Sequence, residues 1–470
     1  MKNYKMAWRN LWRNRRRTLI TAASVFFAVF FALVMRSLQL GTYDSMYKNF
    51  IESYSGYIQV QDEEFWENKI VDNVFRDNSE LRETVTEDKN VEDVIPRFES
   101  FALASSGSRS KGVMVLGIHP EKENLLSDIR NKLVMYHLTD EAIGAIKKEE
   151  IPKYLNKNLD LFKGSSYSSA GRLQFDLGIK EEDEEALMPL FDKYAAVENG
   201  YFSMGENAAL VGDRLARYLE LGRGDTIVIL GQGYHGATAA GKYVIAGIVK
   251  IPNPDLENKV VYLPVDICQN LYYADGMLTS LVLHLDDNSD EAIEKTMLRL
   301  DESLDQPYRL LDWEEMNETL VQQLEADNKS GMIMIGILYL VIAFGVFGTV
   351  LMMTAERRRE FGVLVAIGMQ KTRMAGVMVY EMIYIGLLGI MAGVAVSVPA
   401  IIYGYYHPIH FSATFAKMFE EYGFEPVMSF QWIDKYFLSQ SLVVAIIVLV
   451  AVVYPVVRIN RMKEVNALRA

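Results

Sequence analysis

The run Gly231-Gln-Gly233-Tyr-His-Gly236 has the spacing G-x-G-x-x-G, and Gly236 to Lys242 has the spacing G-x-x-x-x-G-K. Glycines so placed let backbone amides approach a phosphate, which raises dinucleotide or ATP binding. Both chemistries need the run to open a helix whose N-terminus faces the anion, and the second needs Ser or Thr after the lysine to hold magnesium. Tyr243 stands in that place, and the residues that follow Lys242, YVIAGIV, read as a strand. The segment is therefore expected to be a glycine-rich hairpin joining DTIVIL to YVIAGIV. His407 and His410 suggest a metal pair, but Pro408 breaks their helical face and no carboxylate or cysteine nearby completes a ligand set, so no metal is expected. No Ser/His/Asp or Cys/His arrangement stands out, and no catalytic residue is assigned. One ionisable residue is left in an unusual place. Glu381 lies within an apolar run, where a carboxylate is a functional candidate by default; its position near the end of the run equally allows it to snorkel to the interface. Arg36 is expected to snorkel outward.

The elements that would position these residues are set by four apolar runs, roughly 18–40, 331–353, 374–404 and 438–457. Each is long enough to cross a hydrocarbon core of about 30 Å. Segments such as VVAIIVLVAVVYPVV leave no polar face for a surface helix. The fold class that follows is a membrane α-helical protein with four transmembrane helices and one large mixed α/β domain between the first and second. The first run is too long for a signal-peptide core, and no small-residue cleavage site follows it, so it is read as an anchor.

Charge orients the spans. Residues 1–17 hold seven basic residues and no acid, and residues 355–373 hold five against two. The tail after Val457 carries Arg458, Arg461, Lys463 and Arg469 against Glu464. The positive-inside rule places all three in the cytoplasm, and residues 41–330 and 405–437 outside. The chain's formal charge of −13 hides an asymmetry, because residues 41–330 contain 29 basic and 53 acidic residues. An exterior domain so acidic argues against nucleic acid and anionic headgroups as partners of that face. Cys268 is the lone cysteine, so no internal disulfide staples the domain.

Within the exterior segment, GTYDSMYKNFIESYSG continues the first span as helix. Before the second span, Met316, Leu320 and Leu324 share one helical stripe. These are read as two stalk helices. Between them YIQVQ, GVMVLGI, DTIVIL, YVIAGIV, VVYLP and LVLHL are short strand-like runs separated by turns, interrupted at about 122–200 by a charged, helix-leaning insert. Its run KEEDEE at 180–185 is read as a solvated helical face.

The connection after the second run is more specific. In AERRREFGVLVAIGM, Phe361, Leu364, Val365 and Gly368 fall at i, i+3, i+4 and i+7, a short amphipathic helix after a charged turn. Such a helix can dock into a partner's groove, or lie on lipid with Arg357, Arg358 and Arg359 meeting headgroups. At the N-terminus, Trp8, Leu11 and Trp12 oppose Arg9, Arg13 and Arg16, an interfacial helix. In the third run Gly389, Gly393 and Ser397 recur every four residues, a surface that lets another helix approach closely.

AERRREFGVLVAIGM resembles the segment after the second span of FtsX-like and MacB-like ABC transporter permeases. AWRNLWRNRRRTLI, GDRLARYLELGRGDTIVI and YPVVRINRMKEVNALR are similar to the same family, while the 122–200 insert is unmatched. The resemblance implies a type VII, mechanotransmission permease of the bacterial inner membrane. Both termini would be cytoplasmic, and residues 41–330 would be a MacB-like periplasmic domain. It implies a coupling helix for a separate ABC ATPase dimer, comprising Glu356, Arg357, Arg358, Arg359, Glu360, Phe361, Gly362, Leu364, Ile367 and Gly368. ATP and magnesium would then sit on that partner, and this chain would hold no cofactor of its own. It implies a second permease copy or paralogue, with substrate entering near Met35, Leu38, Ile335 and Tyr339. SGYIQVQDEEFWENK is most similar to the lipoprotein-releasing (Lol) group, where a hairpin at the place of Gly231, Gly233, Tyr234, His235 and Gly236 hooks a periplasmic lipoprotein carrier. The run here is shorter than that hook and lacks its proline-containing tip. The function implied is extraction of lipoproteins from the inner membrane, driven by a partner's ATP hydrolysis. The alternatives are a MacB-like efflux permease and an FtsX-like regulator of a cell-wall hydrolase.

Overall fold

The computed structural model describes residues 3–13, 15–411, 415 and 427–461, and it divides into two compact units. Lys463, Glu464, Arg469 and much of the 405–437 segment lie outside the described residues.

The first unit takes in residues 1–45, 322–409 and 427–470. Its helices are α1 (Asn3–Arg13), α2 (Arg15–Phe50), α3 (Glu318–Glu356), α4 (Arg358–Ala366), α5 (Lys371–Tyr406) and α6 (Lys435–Asn460). Among the described residues four helices are long and apolar enough to cross a membrane, and they contain the four predicted runs. Two extend well past their apolar stretch: good helix formers such as Gln322, Gln323, Glu325 and Lys329 precede α3's run, and no proline interrupts either extension. The predicted stripe before the second span is shorter than expected. Met316 belongs to a separate turn, Trp313–Met316, capped by Asp312, and the interruption at Asn317 leaves only Leu320 and Leu324 on α3. The core of this unit is a seam of Val25, Val29, Val346, Val350, Met378, Ile385, Val444 and Val448.

The second unit holds residues 46–321. Among the described residues nine strands form its main sheet: β1 (Ile58–Asp62), β2 (Val91–Ser106), β3 (Arg109–Ile118), β4 (Ala208–Gly212), β5 (Thr226–Gln232), β6 (Thr238–Val249), β7 (Val260–Pro264), β8 (Ser280–Leu285) and β9 (Tyr308–Asp312). Their order is β9-β1-β8-β2-β3-β7-β4-β6-β5. The long strand β2 shares one edge between two partners. Val91 to Arg97 pair with β8, and Ala102 to Ser105 pair with β5. Because β5 is also the far end of the order, β2-β3-β7-β4-β6-β5 closes on itself as a small barrel, from which β8, β1 and β9 continue as an open sheet. Closure leaves β5 with no free edge for another chain to pair with. Strands β4 and β7 are buried along their whole length, as parallel-paired strands covered on both faces require.

The insert has a core of its own, built from Leu138, Ile143, Leu155, Leu159, Leu173, Leu177, Leu187 and Phe191. Its acidic run opens the helix Glu181–Tyr194, with Glu181, Glu182, Asp183 and Glu184 in the first turn, where negative charge meets the positive end of the helix dipole.

Candidate functional site

Helix α4 is cut from α3 at Arg357, whose backbone leaves the helical region (φ −88°, ψ 2°). It ends at Gly368 with φ +97°, where Met369 N–H bonds the Leu364 carbonyl at 3.0 Å and Gly368 N–H bonds Val365 at 3.0 Å. These paired bonds and the left-handed glycine make a Schellman stop, satisfying carbonyls that the helix end would leave open. Phe361 is buried in the core of the membrane unit, with Leu364 and Val365 half-buried beside it and Gly362 also inside. The opposite face is open: Glu356, Arg359, Glu360, Val363 and Gly368 are exposed, and Ile367 is 76% exposed.

Arg357 does not join that open face. Its guanidinium turns inward to the Glu381 carboxylate, with the two side chains only 9% and 3% exposed, and it lies 5.0 Å from the centre of the Phe361 ring. An arginine at the corner between two helices, beneath a buried carboxylate, gains a charge-assisted bond by pointing inward that headgroups would otherwise supply. Glu381 therefore does not snorkel; Asn10 Nδ2 donates to its second oxygen at 2.7 Å. The side chain of Arg358 lies outside the described residues.

Helix α1 packs on α5 through Ala7 and Leu11. The tryptophans flank that buried face instead of sharing it: Trp8 meets Tyr384 edge-on at 5.6 Å and Trp12 stays exposed. On α5, Gly389 and Gly393 lie against Val25 and Val29 of α2, and Ser397 is buried with its hydroxyl donating to the Gly393 carbonyl at 2.7 Å. Arg36 does not reach outward freely, since Nη1 donates to Gln39 at 2.8 Å and to Asn328 of α3 at 2.9 Å.

The four residues expected near the substrate route differ in their surroundings. Met35 is exposed and Leu38 packs partly on the core, but Ile335 is buried and the Tyr339 hydroxyl donates to Gln440 of α6.

The 231–236 segment joins β5 to β6 as a tight hairpin, not a helix start, which removes the phosphate-binding reading. Gly231 pairs with Ala239, and the reversal uses two successive left-handed residues, His235 (φ 52°) and Gly236 (φ 78°). The turn is tied down: His235 N–H bonds Asp72 at 2.5 Å, Tyr234 packs on the sheet core, and a side chain at Gly233 would strike the Tyr272 carbonyl at 2.7 Å. Among the described residues no cluster of His, Cys, Asp and Glu is arranged to hold a metal.

The membrane unit thus combines four helices long and apolar enough to cross a membrane with a short helix whose outer face is exposed. Residues 332–463 match the family of the FtsX-like permease C-terminal domain. It is similar to the lipoprotein-releasing system transmembrane protein LolC of Xylella fastidiosa, 20% identical over 224 residues that cover 46% of this chain and 53% of that one. It is also similar to an uncharacterised ABC transporter permease of Methanocaldococcus jannaschii, 26% identical over 163 residues, 33% of this chain and 40% of that one. The chain spans about half the length of the LolC proteins it matches. Among solved structures, the periplasmic region of MacB from Actinobacillus actinomycetemcomitans aligns at TM-score 0.30 and 10% identity, covering 58% of this chain and 95% of that one. The extracellular domain of the transporter YknZ aligns at TM-score 0.27 and 10% identity, covering 55% and 100%.

Proposed function

We propose that this chain is the permease subunit of an ABC transporter that extracts lipoproteins from the inner membrane by mechanotransmission, powered by ATP hydrolysis on a separate ATPase dimer. The observation that carries the reading is α4: Phe361 anchors it in the bundle while Val363 and Ile367 face out with Arg359 and Glu360, an apolar centre with a charged rim. That pattern suits a groove on a protein partner. The basic flanks 1–17 and 355–373 support a cytoplasmic α4, with ATP and Mg²⁺ held by the partner, and an exterior location for residues 46–321. A symmetric ATPase dimer offers two grooves, so a second permease copy or paralogue completes the assembly.

Lipoprotein as substrate is supported by the similarity to LolC. Recruitment of a carrier is not assigned to residues 231–236, since that turn is folded back onto Asp72 and Tyr272. The deciding experiment is depletion of the protein followed by comparison of lipoproteins in separated inner and outer membranes. Lipoproteins stranded in the inner membrane support the reading. An unchanged distribution, with export of a drug or toxin lost or a cell-wall hydrolase silenced, transfers the function to efflux or hydrolase control.

A further inference from the structure

Five polar side chains, from α1, α4, α5 and the corner before α4, form a chain in the membrane unit. Asn10 of α1 donates to Glu381 of α5 at 2.7 Å, and Arg357, at the corner before α4, holds the other Glu381 oxygen. Arg357 Nε reaches Glu360 of α4 at 3.4 Å, and Arg13 of α1 reaches the same Glu360 oxygen at 3.3 Å. The inner pair is almost fully buried, whereas Arg13 and Glu360 are half or more exposed. A small cavity lined by Asn10, Thr18, Arg357 and Glu381 adjoins the inner pair.

A buried pair of this kind contributes little net stability, because desolvation offsets the attraction; hydrophobic residues of the same volume would fill the space as well. Its physical consequence is directional. One carboxylate with two oxygens accepts from two different helices, so it fixes their angle to α5 in a way that apolar packing does not. We propose that Glu381 is a positioning residue that clamps α1 and the Arg357 corner to α5, so that α1, α4 and the first turns of α5 move as one body. As a device for passing load from the coupling helix into the spans, the clamp rests on the permease reading above.

The test uses full-length protein in lipid nanodiscs, with spin labels at Arg9→Cys and Ile367→Cys, both exposed positions on α1 and beside α4. Cys268 is fully buried and needs no removal. Wild type is expected to give one narrow distance distribution, and Glu381→Gln or Arg357→Met a distribution at least twice as wide. The exchanged pair Arg357→Glu/Glu381→Arg is expected to restore the narrow one, with the Asn10 amide turned to present its oxygen. Wild-type width in both single variants would overturn the clamp. So would a folded exchange variant as wide as the singles. The widths are read without nucleotide or partner, so they judge the clamp alone. Unaltered lipoprotein sorting on depletion would remove the functional reading and leave the clamp standing.

Discussion

Gly389 lies so close to Val25 that a Cβ on the glycine would come within 2.6 Å of the valine Cβ and 2.8 Å of the Ala22 carbonyl. Gly393 repeats the contact one turn on, where a Cβ would meet Val29 at 2.7 Å. Small residues four apart let two helices approach backbone to backbone, and membrane helices rely on that packing because lipid offers no hydrophobic drive to association. Gly389→Leu is expected to force α2 and α5 apart, at a cost of about 1–3 kcal/mol for overpacking. The folded fraction recovered from membranes, and its melting temperature in detergent, should both fall. Gly336→Leu on α3, where nothing lies within 4 Å, is the control and should leave both unchanged.

In the mixed unit a second buried ion pair ties the Ile51–Ser55 turn to the sheet. Arg97 of β2 forks onto Glu123 with Nε–Oε2 at 2.9 Å and Nη2–Oε1 at 2.5 Å, and its third nitrogen bonds the Tyr54 carbonyl. Ser127 donates to the same carboxylate at 2.9 Å. Burial alone would depress the Arg97 guanidinium, but Glu123 beside it leaves its pKa raised overall. Glu123→Ala strands a guanidinium in the core and is expected to destabilise the unit by about 3–5 kcal/mol. The paired change Arg97→Met/Glu123→Leu should recover most of that loss. Hydrogen exchange across Val91 to Ile118 in the full-length protein reads both.

The lengths of the apolar runs made the four spans legible in the sequence, and short β-rich runs bounded by turn residues located six of the nine main-sheet strands. The barrel was not legible. Whether β2 shares its edge between β8 and β5 depends on register between segments more than a hundred residues apart, and no local pattern encodes that pairing. The inward turn of Arg357 was hidden for another reason. In a run of three arginines the residue types are identical, and only the backbone corner at position 357 decides which one meets Glu381. Asn10 gave no signal either, since an asparagine on an amphipathic helix reads as part of its polar face. The tied-down turn at 231–236 was half visible. Its hairpin character followed from the strand after Lys242, but its anchor, Asp72, lies far away in the chain.

Acid should loosen the mixed unit through identifiable groups. Asp88 is held below its ordinary value of 3.8, first by the fork from Arg299 (2.5 and 2.8 Å) and further by the Asn90 amide, against the opposing effect of burial. A depressed carboxylate contributes stability at pH above its unfolded value, and that contribution disappears as pH falls through the lower folded value. Protection of Val91 and its neighbours should therefore decline below about pH 4. Asp88→Asn should start less protected at neutral pH and lose less on acidification. Exchange rates corrected for intrinsic pH dependence, compared between the two proteins, isolate this group from the other carboxylates.

The exposed face of α4 carries the sharpest expectation for the ATPase. Ile367 is a large apolar residue at the helix end, three-quarters exposed, with Val363 one turn before it. Apolar anchors ringed by charge are where interface energy concentrates, and truncating or charging one typically costs 2 kcal/mol or more, roughly thirtyfold in affinity. Ile367→Asp should abolish co-purification of the ATPase while the permease stays folded, since its side chain touches little of the bundle. Glu360→Lys should act differently. It reverses a rim charge that also meets Arg13 and Arg357, so docking should persist while ATP turnover no longer responds to the permease. Gly368→Trp places a side chain at φ +97°, unwinding the Schellman stop and moving Ile367 with it, and should resemble Ile367→Asp. Pull-down of the ATPase with each variant, followed by ATP turnover of whatever complex remains, checks all three. An ATPase that binds and responds normally to Ile367→Asp would place the coupling surface somewhere other than α4.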